Sequence, residues 1–313
     1  MITNFIGASD INGGLAANTA GYVKKCEDIY RQGISEAAEK IFMDHKKRPL
    51  VLVSGPSGSG KTTGAMRIGQ RLREKGLAVH IISMDNYFLP NGMGEMPLDE
   101  NGNVDLESPL RMDIPLFSEH LEKLFRCEPI EIPRFDFKSQ SRLPGESIRR
   151  EKNEIIIIEG IHALNPEVTG DTDDFTTCVY VSVRTRIKNS DGTLLHPRLV
   201  RLMRRLCRDK LFRGREAREV FAMFQSVTRG EDLYIMPHKG RAHFDIDTFI
   251  AYEPAVYRAV LMDDLSDASG FSDYSEDYNE LIKTLKELEP LSGEEVPSNS
   301  LIREFIGGSS FEY

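Results

Sequence analysis

The segment Gly55-Pro-Ser-Gly-Ser-Gly-Lys-Thr62 constrains this chain more than any other feature. It satisfies G-x-x-x-x-G-K-[ST], with an apolar run before it and a helix-forming stretch after it. In that context the glycines let backbone amides converge on phosphate oxygens. A helix starting near Gly60 aims its positive end at the same anion, Lys61 bridges terminal phosphates, and the Thr62 hydroxyl is a candidate Mg²⁺ ligand. Gly55, Ser57, Gly58, Ser59, Gly60, Lys61, Thr62 and Thr63 are therefore expected to bind a nucleoside triphosphate. A dinucleotide fingerprint is excluded, because the position three after Gly60 is Thr63, not glycine.

Such a cradle needs a strand before it and a helix behind it, and the flanking sequence supplies both. Residues 50–53 read as a strand, 62–75 as a helix closed by Gly76, and 77–83 as a second strand, which implies a right-handed parallel crossover. The unbroken apolar runs 155–158 and 178–183 suit strands buried on both faces of a parallel sheet, and 244–251 supplies a fifth. The expected fold is thus α/β, a P-loop NTPase-type parallel sheet of about five strands flanked by helices. Residues 128–149 alternate around Leu143-Pro-Gly and predict a projecting β-hairpin, while 84–111, rich in Gly, Pro, Asn and Asp, predict a long functional loop.

The same spacing logic divides the chain. Residues 1–14 read as loose, and 16–45 as a helical preface, so that 1–48 precedes a P-loop domain at 49–290. Helices are expected at 113–125, about 197–210 and about 216–228. A last helical region, 253–288, is interrupted by acidic, Ser-rich sequence near 263–280, and 291–313 reads as a tail.

Carboxylates stand where this sheet would end. Asp85 closes the second strand, in position to accept a proton from an attacking hydroxyl or to hold a magnesium water. Glu159 closes the Ile155–Ile158 strand as a second magnesium-handling acid. Eight arginines (198, 201, 204, 205, 208, 213, 215 and 218) crowd one stretch of a net acidic chain. Guanidinium forks at this density suit triphosphate oxygens in a closing lid at about 197–216, and the bland reading pairs some of them with the acidic 263–280 stretch. Phe135 and Phe137, two apart on a strand, suit either a planar base or the core.

Bulk properties narrow the function classes. A formal net charge of −9 argues against a general nucleic-acid surface. Four scattered cysteines without a CxxC suggest reduced thiols, and neither a secretory leader nor a span of roughly 20 apolar residues is visible, so no membrane partner and a cytoplasmic location are expected.

Taken in order, GPSGSGKT, SMDNYF, DLESPLRMDI, PRFDFKSQSR, IIIIEGIHAL and RLVRLMRRLCRDKLFRGR resemble the uridine kinase and phosphoribulokinase family of P-loop kinases, over about residues 49–257. The resemblance implies phosphorylation of a small-molecule hydroxyl by ATP with Mg²⁺, with uridine or cytidine as acceptor. It implies Asp85 as catalytic base beside Lys61, and Thr62 and Glu159 around the metal. Phe135, Phe137 and Ile161 fall at nucleoside positions, Arg208 and Arg213 at triphosphate positions, and Arg205 and Arg215 beside the acceptor. Three positions depart from the family pattern: Phe88 replaces a common Tyr, Glu107 a ribose-binding Asp, and Gln140 a base-reading His. Phe88 cannot hydrogen-bond at all. Another nucleoside, a sugar phosphate or pantothenate remain alternative acceptors, and a nucleotide-operated switch or adaptor is the alternative from another class. Oligomeric state is left open.

Overall fold

The computed structural model describes residues 4–90, 92–93 and 96–312, so positions 91, 94 and 95 of the expected functional loop lie outside the described residues. A short strand, β1 (Phe5–Gly7), leads into α1 (Ala8–Asp44). Buried Val23, Cys26, Tyr30, Ile34, Ala37 and Ile41 recur at steps of three and four, placing one stripe of α1 against the core. The looseness expected for residues 1–14 is corrected over 4–14, residues 1–3 lying outside the described residues. The helix starts at Ala8 and is broken only at Asn18, and Asn12 clasps distant backbone, donating to Glu287 O at 2.8 Å and accepting from Glu289 N at 2.8 Å.

The central layer follows. β2 (Leu50–Ser54) runs through the cradle into α2 (Lys61–Glu74), then β3 (Ala78–Ser83), with a 3₁₀ turn at Met84–Tyr87 carrying the chain into the loop. After α3 (Ile114–Phe125), β4 (Pro129–Asp136) and β5 (Ser141–Arg149) pair antiparallel as the hairpin. Its turn falls at residues 137–140, with Gln140 at φ 51°, whereas the Leu143-Pro-Gly sequence expected to turn lies inside β5. Then come β6 (Glu154–Glu159), α4 (Pro166–Thr169), β7 (Thr176–Ser182), the short β8 (Arg186–Lys188) and β9 (Leu194–Leu195), α5 (Pro197–Arg213), α6 (Ala217–Tyr234) and β10 (Phe244–Asp247).

The main sheet has the order β10-β7-β2-β6-β3, and every pairing in it is parallel. Because strand side chains alternate, Val51, Val53, Ile155 and Ile157 face one core, with α1, α2 and α5, while Leu50, Leu52, Ile156 and Ile158 face the other, with α3. The chain passes from β2 out to β3, returns through β6, and crosses to β7 on the far side, so the strand order reverses about β2. A crevice outside the carboxyl ends of the strands is the geometric consequence.

The C-terminal part is α7 (Glu253–Leu261), α8 (Ser275–Glu287) and the single turn α9 (Arg303–Ile306). The tail expected at 291–313 is, over the described residues to 312, a packed element: Leu301, Ile302 and Phe305 are wholly buried in the core shared with α5 and α7. Sequence composition concealed this because only four of these residues form an α-helix and three more, Gly293–Glu295, a 3₁₀ turn.

Candidate active site

The cradle emerges from β2 at the reversal point. Gly58 and Gly60 hold φ of 75° and 81°, conformations that a Cβ penalises, and they turn the backbone into the first turn of α2. The loop is braced from α5. Arg201 donates to Ser57 O at 3.1 Å, Arg205 to Ser57 Oγ at 2.6 Å, and Arg204 to Gly58 O at 3.0 Å, while Thr248 Oγ1 donates to Ser59 O at 2.8 Å. These contacts fix the outward tilt of the loop amides. Lys61 Nζ rests on Pro56 O at 3.2 Å.

A cavity of about 850 Å³ opens over the loop. Ser57, Gly58, Gly60, Lys61 and Thr62 form one end. Asp85, Glu159, Gly160 and Ile161 lie on its wall, and Phe88, Glu107, Phe137 and Gln140 line it together with apolar Met96, Val104 and Leu106. Arg205, Arg208, Arg213 and Arg215 face the same space. Of the residues expected from sequence, Gly55, Ser59, Thr63 and Phe135 do not line it. Ser59 and Thr63 are buried behind the loop, and Phe135 is buried edge-on behind Phe137 and Phe88, with ring centroids 5.1 and 5.8 Å away. Phe137 is 55% exposed, so it alone of the two offers a face to a ligand.

The arginines separate by partner. Arg198 pairs with Asp277 at 2.6 Å and Arg218 with Asp273 at 3.7 Å, as the bland reading anticipated for some of them. Arg201 pairs with Glu231, and Arg204 with Glu253. The cavity-facing arginines instead gather round one buried carboxylate, Asp209, with contacts of 3.0 Å to Arg208, 3.3 Å to Arg213 and 3.2 Å to Arg215. Burial alone would raise the Asp209 carboxyl, but Arg208, Arg213 and Arg205 hold it below its usual range. One anion therefore holds several cations in place beside the cleft.

Opposite them lie acids whose protonation is pulled upward. Glu159 is buried at the end of β6, and that burial pushes its carboxyl up to about 7 against the pull of Lys61. Asp85 faces the cleft volume, yet protein surrounds that volume. The resulting desolvation raises its carboxyl, opposed by Lys61 and Arg213. Lys61 is lowered by burial and supported by Glu159 and Asp85. Glu107 is raised by burial and opposed by Arg205 and Lys61, and it approaches α6 so closely that a Cβ on Gly230 would lie 2.2 Å from its own Cβ. Such a set of strained charges in one cleft is the usual mark of a working site.

Residues 50–251 match the model of the Phosphoribulokinase / Uridine kinase family. The chain belongs to this family. It is 32% identical over 218 residues to a uridine kinase of Bacillus pumilus, covering 66% of this chain and 94% of the relative. It is 34% identical over 214 residues to one of Oceanobacillus iheyensis, covering 64% and 92%. Among solved structures it is similar to a possible uridine kinase from Bacillus stearothermophilus, with 19% identity and a TM-score of 0.47, covering 69% of this chain and 98% of that one. As a member of the uridine kinase and phosphoribulokinase family, the protein is a phosphotransferase acting on an alcohol group.

Several site residues carried no sequence signal. Thr248 braces the cradle at Ser59 O and Glu253 does so through Arg204, and Glu304 reaches the cavity wall; Asp105 and Arg111 lie in the DLESPLRMDI motif without having been singled out, Asp105 tying its loop to α6 through Arg229 and Tyr234, both at 2.8 Å, and Arg111 lining the cavity. Glu253 and Glu304 lie beyond the family match and are joined to the cradle only by folding. Among the described residues, no group of three or more His, Cys, Asp and Glu side chains is arranged to hold a metal by itself. Thr62 and Glu159 line one cavity beside Lys61, and a hydroxyl plus one carboxylate fits Mg²⁺, which keeps waters and takes phosphate oxygens as further ligands. No helix among the described residues is long and apolar enough to cross a membrane.

Proposed function

We propose that this protein is an ATP- and Mg²⁺-dependent kinase for the 5′-hydroxyl of uridine or cytidine. The observation that carries the reading is the single cavity of about 850 Å³, lined by the phosphate cradle, by Asp85 and Glu159, and by Phe88, Phe137, Met96, Val104 and Leu106. That volume accommodates a nucleoside together with the terminal phosphates of a donor, and the apolar and aromatic lining suits a planar base. The uridine kinases among its relatives support the acceptor class. The free thiols of all four cysteines accord with a cytoplasmic enzyme.

In this reading the amides of residues 57–61 and the Lys61 ammonium bind the donor phosphates, and Arg208 and Arg213 close on them from α5. Thr62 and Glu159 would hold Mg²⁺, which supplies positive charge between the phosphate oxygens when bound. Asp85 accepts the proton of the attacking hydroxyl. Desolvation raises its proton affinity, which suits a base, while Lys61 and Arg213 oppose that rise and favour the ionised form. Phe137 stacks on the acceptor base with Phe88 edge-on to it at 5.9 Å, and Glu107, Gln140, Arg205 and Arg215 supply polar contacts. Phe135 acts from behind, by holding Phe137 and Phe88.

The test is purified protein with labelled ATP, Mg²⁺ and a panel of nucleosides, sugar phosphates and pantothenate. UMP or CMP as the preferred product is expected. Turnover confined to a sugar phosphate or pantothenate would overturn the acceptor assignment. Partner-stimulated ATP hydrolysis with no phosphorylated small molecule would overturn the kinase.

A further inference from the structure

The segment after Val296 is built against the cradle. Leu301 is wholly buried, and its Cδ1 lies 2.6 Å from where a Cβ on Gly60 would stand, so glycine at 60 serves this contact as well as the turn. Arg67, itself buried, bonds the Asn299 carbonyl, and Arg303 donates to Gly293 O at 2.8 Å. Phe305 is wholly buried with the Arg204 guanidinium 5.2 Å from its ring centroid. Glu304, on the turn between them, accepts a hydrogen bond from Thr63 Oγ1 in the first turn of α2 and lines the cavity beside Lys61 and Thr62. The segment is thus a fixed wall of the cleft.

An ionised carboxylate offers about four acceptor positions and no donor, and Thr63 uses one of them. Phosphate oxygens are also acceptors only, so Glu304 cannot bond them. They have their own partners in Lys61, the loop amides and the arginines. The nucleoside half of a triphosphate carries what Glu304 lacks, namely ribose hydroxyls and, on adenine, an exocyclic amino group. Thr63 follows Lys61 and Thr62 in the first turn of α2, and Glu304, bonded to Thr63, reaches the same cavity from that turn. We infer that the C-terminal segment is the outer wall of the donor-nucleotide site and that Glu304 accepts a hydrogen bond from the nucleoside half of the donor. This rests on the kinase reading above.

The experiment is direct binding, by calorimetry, of ATP, 2′,3′-dideoxy-ATP, inosine triphosphate and inorganic tripolyphosphate, each with Mg²⁺, to wild-type protein, Glu304→Ala and Glu304→Gln. Glu304→Ala is expected to weaken ATP about tenfold, the scale of one charge-assisted hydrogen bond, while tripolyphosphate stays within twofold. The analogue that already lacks the contacted group loses nothing further, which separates ribose from amino group. Glu304→Gln preserves shape and can keep the Thr63 bond through its carbonyl. It carries the test if the alanine variant fails to fold, with an expected loss of about threefold for ATP alone. Unchanged ATP affinity in a folded variant overturns the inference. So does equal tightening of ATP and tripolyphosphate, which would make Glu304 a mere repeller of phosphate. Wild-type protein that binds no triphosphate would instead overturn the kinase reading, and this inference with it.

Discussion

Arg204→Met strands the Glu253 carboxylate in the interior, and the structure sets the size of the effect. Both side chains are fully buried. All five guanidinium N–H groups are used: Nε and Nη2 reach Glu253 at 2.8 and 2.9 Å, Nη1 reaches Gly58 O at 3.0 Å and Thr248 Oγ1 at 3.2 Å, and Nη2 also reaches Thr248 O at 2.7 Å. Glu253 is equally saturated, accepting in addition from Tyr257 Oη at 2.9 Å and Ile250 N at 3.0 Å. Removing one partner of such a pair costs about 3–5 kcal/mol, because the remaining charge stays buried without its counter-ion. At roughly 2.1 cal/mol/K per residue of unfolding entropy, a 4 kcal/mol loss lowers the midpoint of this 313-residue chain by about 6 °C. Thermal and urea denaturation measure it. Arg204→Met with Glu253→Leu removes both charges and is expected to recover most of that loss, while ATP affinity stays reduced because Gly58 O has lost its brace and only the Arg201 and Arg205 contacts to Ser57 remain. A single variant within about 1 kcal/mol of wild type, or a double variant no better than the single, would refute the role of the pair.

Asp85→Asn is expected to abolish turnover while leaving ATP binding nearly intact, read by initial rates and calorimetry; full activity would remove the proposed base. Glu159 keeps its proton in the folded state up to about 7, against 4.5 ordinarily, so the unfolded chain releases it first. Stability from this group is therefore complete below about pH 4.5 and is lost as pH rises through about 7, by roughly 3 kcal/mol, and Glu159→Gln should flatten that part of the urea-midpoint profile between pH 5 and 8. A profile identical to wild type in the variant would place the titration elsewhere. Gly230→Ala puts a methyl against the Glu107 side chain and is expected to raise the KM for the acceptor severalfold with little change in the KM for ATP; equal changes in both would separate Glu107 from acceptor binding.

Much of the central layer was legible because its signals are local. The strand at β2, the glycine turn and α2 are consecutive, and the buried strands declare themselves by unbroken β-branched runs. The placement of Asp85 and Glu159 was legible for the same reason, since Glu159 ends β6 and Asp85 lies two residues past the end of β3, both at the carboxyl edge common to all strands of a parallel sheet. The hairpin turn was misplaced because Leu143-Pro-Gly has the composition of a turn, whereas the register of β4 against β5, with its shift between Ile132 and Arg134, puts the reversal at residues 137–140.

The cradle of residues 55–62 could be read from the chain alone because its chemistry depends on backbone amides, a lysine and a hydroxyl that are neighbours in sequence. What surrounds it could not. Eight arginines of one charge and similar spacing divide into braces, surface pairs and cleft cations only according to whether Ser57, Asp277 or Asp209 lies opposite them in the fold. Likewise Glu304 has no motif, and its place beside Thr63, 241 positions away, is set by the burial of Leu301, Ile302 and Phe305. Local sequence specifies what a segment offers; long-range packing decides what it meets, because burial and pairing energies belong to contacts between elements and are not properties of either element alone.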